Sequence, residues 1–590
     1  MRTHKEVDVV IIGMGWTGGI IAKELAQAGL HVVGLERGGS HTTQEDFAVP
    51  WIRDELRYSV RNELMQDLTR TTVTVRNNVN ERALPMRKLG SFLPGEGVGG
   101  SGIHWGGLSL RWTDQEFKLK SMTEQRYGKA QPSDGLLIQD WGISYDELEP
   151  YYEKFEYMAG VSGVAHNVGQ RRAVGAGPAG GNPFEAARRR GYPLPALDTG
   201  LAGELFNAAA SSLGYHPYVT PMARASQAYV NPDGVAFGEC QYCGFCGGYG
   251  CEVNAKGSPH HTMIPLAQRE ANFELRTHAW VSKITQDAGS KRATGVEYTN
   301  LASGQTHFQP AAVVVLASYA LGNVHLMLLS GIDTPYDPVS GNGVVGRNYA
   351  YQAGTGVALF FENQLFNPYM NGGLTSLDDF NANADFDRSQ IGAIGGSVLY
   401  AGASQGLPIG ARALPQGSSL WGSAWKQQTT QWFPRTMTIA AHSSTMANRW
   451  NYLDLDPTYR DALGQPLLRM TFDYSENERK LTRHSAGILN QIAAQLNPTH
   501  RTQAKAAQSW SVEHYQSTHN TGGTIMGADP HTSVVNKYGQ AWALDNLFIA
   551  GASVFPHDAA YPPTLLVSSL AYHTADAIKL RYARHQRGLV

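Results

Sequence analysis

The chain has 590 residues, more than one hydrophobic core usually organises, so two or more lobes are expected. A formal net charge of -2 with 17% charged residues gives no basis for nucleic acid or an acidic membrane surface as partner. Apolar content of 42% is that of a globular protein, while 65 glycines, well above the average usage of about 7%, point to tight turns and loops that hug a cofactor.

The N-terminus, Met1 to Glu6, enters a strand at once and leaves no room for the three regions of a secretory signal, so the chain is expected to carry no export signal of its own. Residues 7–12, Val-Asp-Val-Val-Ile-Ile, are a near-continuous β-branched run, as in a parallel strand buried on both faces. Gly13-Met14-Gly15-Trp16-Thr17-Gly18 follows, then a helical pattern through Leu25 and Ala28, then His31 to Glu36. In this βαβ unit Gly13 permits the turn, Gly15 lets backbone approach a pyrophosphate, Gly18 allows close helix packing and Glu36 is placed for ribose hydroxyls. Trp16, Thr17 and Arg37 join them as cofactor candidates. On physics alone the unit suits NAD and FAD equally.

A second glycine-dense loop, Gly95 to Gly107, could lie against a flat isoalloxazine and its diphosphate, with Gly97, Gly99, Gly100, Ser101, His104 and Trp105 as contacts. Residues 165–200 are rich in Gly, Pro, Ala and Arg and read as a long surface excursion. Within it, Arg188-Arg189-Arg190 reads as a solvated basic face.

All four cysteines, Cys240, Cys243, Cys246 and Cys251, fall in one twelve-residue window with glycines between them. Such spacing lets several thiolates aim at one point, as an iron–sulfur cluster or a zinc ion requires. Zinc is kept open by His260-His261 nine residues on, but cysteines at two-residue intervals favour ferredoxin-like ligation, and a flavin beside the cluster would give it an electron carrier's role. No cysteine is left for a structural disulfide.

The longest apolar stretch, about 311–321, is half of the ~20 residues that a membrane helix needs and is expected to be a buried strand. Residues 350–500 change to short alternating strands with Gly and Asn turns, ending in an amphipathic stretch near Leu481 to Leu496, the candidate substrate-facing lobe. Strand-then-helix patterns return at 311–332 and 547–580, so the nucleotide domain is expected to be assembled from separated segments. Near the C-terminus stand His519-Asn520-Thr521-Gly522-Gly523 and Asn546 to Pro556.

With these segments the chain resembles the glucose–methanol–choline (GMC) family of flavoprotein oxidoreductases, and within it the flavoprotein subunits of gluconate 2-dehydrogenases and related cytochrome-linked sugar dehydrogenases. The resemblance also rests on Asp54 to Tyr58, Arg76-Asn77-Asn78, Gly90 to Gly95, Leu329 to Ile332 and Phe555-Pro556. It implies a mixed α/β fold: a Rossmann-type FAD-binding domain from 1–120, 225–345 and 515–590, a substrate-binding domain on an antiparallel sheet with helices over 121–224 and 346–514, and an iron–sulfur loop at 238–262. It implies FAD, a [3Fe-4S] cluster on the cysteine window, a small subunit carrying the export signal, a cytochrome c subunit as electron acceptor, and a periplasmic location held to the membrane through those partners. One of the four cysteines would then be a spare.

Carried over, His519 is the histidine over the flavin that takes the substrate hydroxyl proton while hydride leaves for N5, and Val281, Ala317, Gly551, Ala552 and Thr564 join the cofactor contacts. His104 stands where some relatives bind flavin covalently, and a ring packed there without a bond is the alternative. Relatives usually carry Tyr-Asn-Pro-Thr where this chain has Tyr561-Pro562-Pro563-Thr564. Proline offers no side-chain donor or acceptor, so either His557, Asn520 or a residue of the second lobe takes the asparagine's part, or the active site is tuned to an unusual substrate. The expected activity is oxidation of a sugar, glycoside or sugar-acid hydroxyl; an oxygen-using oxidase and a degenerate flavoprotein scaffold are the alternatives.

Overall fold

The computed structural model describes the whole chain except residues 48–63, 129–134, 170, 173–179, 288, 371, 384, 409–413 and 586–587. The segment Asp54 to Tyr58 therefore lies outside the described residues.

Val7–Ile12 (β1), Trp16–Gln27 (α1) and Val32–Leu35 (β2) form the βαβ unit, with Val9 opposite Val32 in a parallel pair. Val9 to Ile12 are buried, as a strand covered on both faces must be. Parallel pairing extends to Phe273–Arg276 (β3) beyond β2. Further along the chain, Ala279–Gln286 (β4), Ala293–Asn300 (β5) and Thr306–Leu316 (β6) pair antiparallel in succession. The second half of β6 lies parallel to β1, and Leu547–Ile549 lies parallel to the end of β6. The sheet order is β3-β2-β1-β6-β5-β4, and its parallel half joins strands from three separated stretches of sequence.

The apolar run at 311–321 does not stay in one strand. It ends at Leu316, and Tyr319–Ser330 (α2) begins after a turn in which the Ser318 N–H and hydroxyl both bond to Asn323 Oδ1. A run of that length on a strand–turn–helix reads the same as a longer strand, because both bury most of its residues.

The second sheet is antiparallel, in the order His500–Arg501, Ala353–Phe360 (β7), Thr436–Ser443 (β9), Ser397–Ala403 (β8), Thr375–Leu377, Tyr218–Val219. Along β9 Met437, Ile439 and Ala441 are buried, while Thr438, Ala440 and His442 face the other way, the period-two pattern of a half-covered strand. Glu476–Gln495 (α3) covers the inner face with Leu489, Ile492 and Ala493. It starts at Ser475, whose hydroxyl and the Glu478 side chain form a reciprocal cap. The outer face of this sheet is turned toward the nucleotide sheet and carries the chemistry described below.

The basic run at 188–190 is not a uniform solvated face. Arg188 is buried and pairs with Glu156, which also bonds to buried Arg111 at 2.7 Å, whereas Arg189 and Arg190 are exposed. A buried carboxylate needs a cation beside it, and sequence proximity to two solvated arginines conceals which one supplies it. Among the described residues no helix is long and apolar enough to cross a membrane.

Candidate active site

A cavity of about 510 Å³ runs from the end of β2, at Glu36 and Arg37, to the outer face of the second sheet, at Tyr400 and His442. The β1–α1 turn shapes its first half. Gly13 has φ +91°, and a Cβ there would meet the Ala317 carbonyl at 2.6 Å, so only glycine lets the turn pass beneath the end of β6. A Cβ on Gly18 would lie 2.0 Å from the Gly13 carbonyl; α1 packs directly on the turn. Gly15 differs, because the nearest atoms to a Cβ would be Gly99 O at 3.9 Å and Gly100 Cα at 4.0 Å. Two glycine loops thus meet without side chains between them at the start of α1, which has no side-chain cap. Unpaired backbone N–H groups and the helix dipole suit that space to a diphosphate.

Glu36 ties these loops together. Its Oε2 accepts from the Met14 N–H at 3.0 Å, and its Oε1 from Gly38 at 2.9 Å and Gly97 at 3.3 Å. Burial pushes the carboxyl upward while the Gly38 and Met14 N–H groups pull it back down. Beside it Arg37 pairs with Glu96 at 3.0 Å and lies over Trp280, 5.5 Å from the ring centroid. This end of the cavity, with Val281 and Ala317 in its wall, fits a nucleoside.

Toward the other end the wall holds Thr17, Gly100, Ser101, His104 and Trp105 on one side, and Gly551, Ala552, Pro562, Pro563 and Thr564 on another. Trp16 and Trp105 meet edge to face at 5.1 Å. His104 Nε2 is buried without a hydrogen-bond partner, and burial together with Lys256 pushes this histidine down to about 3. Gly18, Gly97 and Gly99 do not line the cavity; they act through the turn, through Glu36, and through the Gly99 N–H that donates to Met14 O at 2.7 Å.

His519 lines the far end. Its Nδ1 is 2.7 Å from Gln352 Oε1, and Gln352 Nε2 donates to the carbonyls of Ala559 at 3.0 Å and Ala560 at 2.9 Å. Carbonyls only accept, so the amide orientation is settled: Oε1 accepts, and His519 Nδ1 must be the N–H that donates to it. The lone pair is therefore on Nε2. Enclosure pushes this histidine down to about 3, so the ring is neutral at physiological pH.

Asn520 also lines the cavity, but its amide is committed, donating to the Tyr319 hydroxyl at 2.7 Å and accepting from Tyr349 at 2.6 Å. His557 is not brought to the cavity. It is buried among Trp112, Trp141 and Phe555, with both ring nitrogens unpartnered, so as a replacement for the missing asparagine it does not reach the reacting centre. Residues of the second lobe do reach it: Gln352 through its bond to His519, and His442, whose ring meets that of His519 at 5.7 Å and 88°.

The cysteine loop adjoins the same cavity. Gly247 and Gly248 line it, and the Gly248 N–H donates to His104 O at 2.7 Å. Buried Lys256 donates to the carbonyls of Trp105, Cys246 and Tyr249 at 2.7 to 2.9 Å, stapling the loop to the cavity wall. All four thiols are free. Burial and the neighbouring cysteines push Cys243 up to about 11. As the side chains stand, no group of three or more His, Cys, Asp or Glu among the described residues is placed to hold a metal ion.

Gln352, Tyr400 and His442 were not legible as site residues. Each sits on, or next to, a strand of the second sheet with no motif around it; the one available signal was a polar side chain on the outer period of a half-buried strand.

Comparisons with known proteins agree with this architecture. The GMC oxidoreductase family matches in two segments, residues 141–353 and 447–571. The gluconate 2-dehydrogenase flavoprotein of Pantoea cypripedii is 42% identical over 99% of this chain and 95% of that protein. The fructose dehydrogenase large subunit of Gluconobacter japonicus is 27% identical over 97% of each. Among solved structures, pyridoxine 4-oxidase from Mesorbium loti superposes with a TM-score of 0.59 at 15% identity, covering 98% of this chain and 100% of that one, a likeness of fold.

Proposed function

The chain belongs to the GMC oxidoreductase family, an FAD-dependent enzyme acting on alcohol or sugar donors, and on that premise we propose that it oxidises a hydroxyl of a sugar acid such as gluconate, with His519 as the proton acceptor. The observation that carries the reading is the Gln352–His519 hydrogen bond. It leaves Nε2 as the basic atom at the end of a cavity whose other end fits a dinucleotide.

When bound, FAD supplies the two-electron acceptor for the hydride. The chain's own residues do the rest. A carbinol C–H breaks as hydride only if the O–H proton departs with it, and the O–H becomes strongly acidic as the hydride leaves, so even a weakly basic imidazole accepts it. Gln352 holds the tautomer, and the buried wall excludes water that would compete for Nε2. Pro562 lines the cavity without a side-chain donor or acceptor to offer.

The reading extends to electron exit and assembly. The cysteine loop supplies the donor type that an iron–sulfur cluster, [3Fe-4S] by resemblance, takes, and its backbone is bonded to the cavity wall; Cys240, Cys243, Cys246 and Cys251 would hold such a cluster, which would supply a one-electron exit from the flavin. The relatives named as a flavoprotein and a large subunit support assembly with further chains, here a small subunit carrying the export signal and a cytochrome c subunit, on the periplasmic side.

Anaerobic bleaching of the bound flavin by a panel of sugars and sugar acids tests the proposal. Bleaching by gluconate is expected; a panel that leaves the flavin oxidised overturns it. Peroxide formed in stoichiometric yield in air would instead identify an oxidase.

A further inference from the structure

Beyond His519, the cavity end carries two polar atoms with no use in proton removal. The Tyr400 hydroxyl and His442 Nδ1 are both buried without a hydrogen-bond partner, and both residues line the cavity. Unpaired buried polar atoms are uncommon in folded proteins, and a pair of them on one wall calls for a ligand that bonds to both.

Their placement is built into the second sheet. Tyr400 on β8 is opposite Ala440 of β9, and His442 of β9 is opposite Val398 of β8. The two rings are thus diagonal neighbours on the outer face, within reach of each other; they meet edge to face at 4.7 Å and 88°. On the other flank of β9, β7 presents Gly354 opposite His442 and Gly356 opposite Ala440, so no side chain from β7 crowds the rings. Tyr400, His442 and His519 stand in file, the last two rings 5.7 Å apart. Neighbouring rings suit neighbouring hydroxyls.

We propose that Tyr400 and His442 form a second hydroxyl-binding pole, which holds the hydroxyl on the carbon next to the one oxidised and so selects vicinal polyols over isolated alcohols. This rests on the proposed sugar-acid activity. The pole explains how the site works with Pro562 in place of a hydrogen-bonding side chain: the orienting contacts come from the second sheet. A site built to bond a substrate hydroxyl rejects the analogue that lacks it, because its own polar atoms are then left unpaired.

The test compares kcat/KM for D-gluconate and 3-deoxy-D-gluconate in anaerobic flavin reduction. Wild type is expected to favour gluconate by about tenfold or more. Tyr400→Phe and His442→Leu should bring that ratio close to one, and His442→Asn, whose amide can occupy the place of Nδ1, should restore part of it. A ratio that survives both substitutions overturns the proposal, as does an equal loss with both substrates, which is the mark of a merely structural role. If wild type is bleached by neither compound, the sugar-acid reading itself falls and takes the proposal with it.

Discussion

The N–H of Gly248 donates to the carbonyl oxygen of His104 at 2.7 Å, joining the cysteine loop to the wall of the cofactor cavity by a main-chain bond. The bond joins main-chain atoms, so cysteine substitutions separate the loop's proposed redox role from its attachment to the wall. Iron and acid-labile sulfide are expected in the purified holoprotein. Cys243→Ser and Cys246→Ser should remove them and slow reduction of a one-electron acceptor, while gluconate still bleaches the flavin. Absence of iron in the native protein would eliminate the electron-exit role.

Loss of the base and loss of its orientation should differ in size. His519→Ala is expected to lower the rate of flavin reduction by about 10²–10⁴, the range for general acid–base groups, with flavin retained. Gln352→Leu leaves the imidazole in place but frees its tautomer, and a smaller loss is expected. An equal or larger effect of Gln352→Leu would show that the amide does more than orient the ring.

Two glycines of the first turn should part company. Gly15→Ala adds a methyl with no protein atom nearer than 3.9 Å, so the fold should hold while the methyl obstructs the diphosphate: little change in apoprotein melting temperature, but loss of bound flavin absorbance. Gly18→Ala places its methyl 2.0 Å from a backbone carbonyl and should destabilise the fold itself, by about 1–3 kcal/mol or more as for an overpacked core. Similar behaviour of the two variants would contradict the placement of the diphosphate.

Acid should weaken the fold before neutral pH does. Burial holds His104, His260, His519 and His557 each at about 3, against about 6.5 when unfolded. Between those values the unfolded chain binds more protons, so each histidine lowers stability by up to about 1.4 kcal/mol per pH unit as pH falls below 6.5. Buried carboxyls act in the opposite sense: Glu116, raised to about 7, and Asp378, raised to about 6, cost stability as pH rises past their unfolded values. The histidines outnumber them, and the melting temperature is expected to drop steadily from pH 6.5 to 4.5. A flat profile over that range would show these rings to be hydrated.

The nucleotide half was legible because its requirements are local. A turn that must pass under a strand, a helix that must pack on that turn, and an acid twenty residues on each impose a residue type at a set spacing, and Gly13, Gly18 and Glu36 meet those demands within one continuous stretch. His519 was picked out by resemblance to the family, with Gly522-Gly523 and Phe555-Pro556 marking the segment. The run at 311–321 and the triplet at 188–190 misled because burial on a strand or a helix, and solvation or pairing of an arginine, leave the same letters in the sequence.

What the sequence by itself determined was the family and, through it, the cofactor and the candidate proton acceptor, all carried by short stretches in which neighbours in the chain are neighbours in space. What only the tertiary structure decided was the surroundings of that residue. Gln352 is 167 residues from His519, and Tyr400 and His442 become adjacent only when β8 and β9 pair. Their meaning depends on strand register and on which face of a sheet looks into the cavity, and no spacing along the chain encodes either.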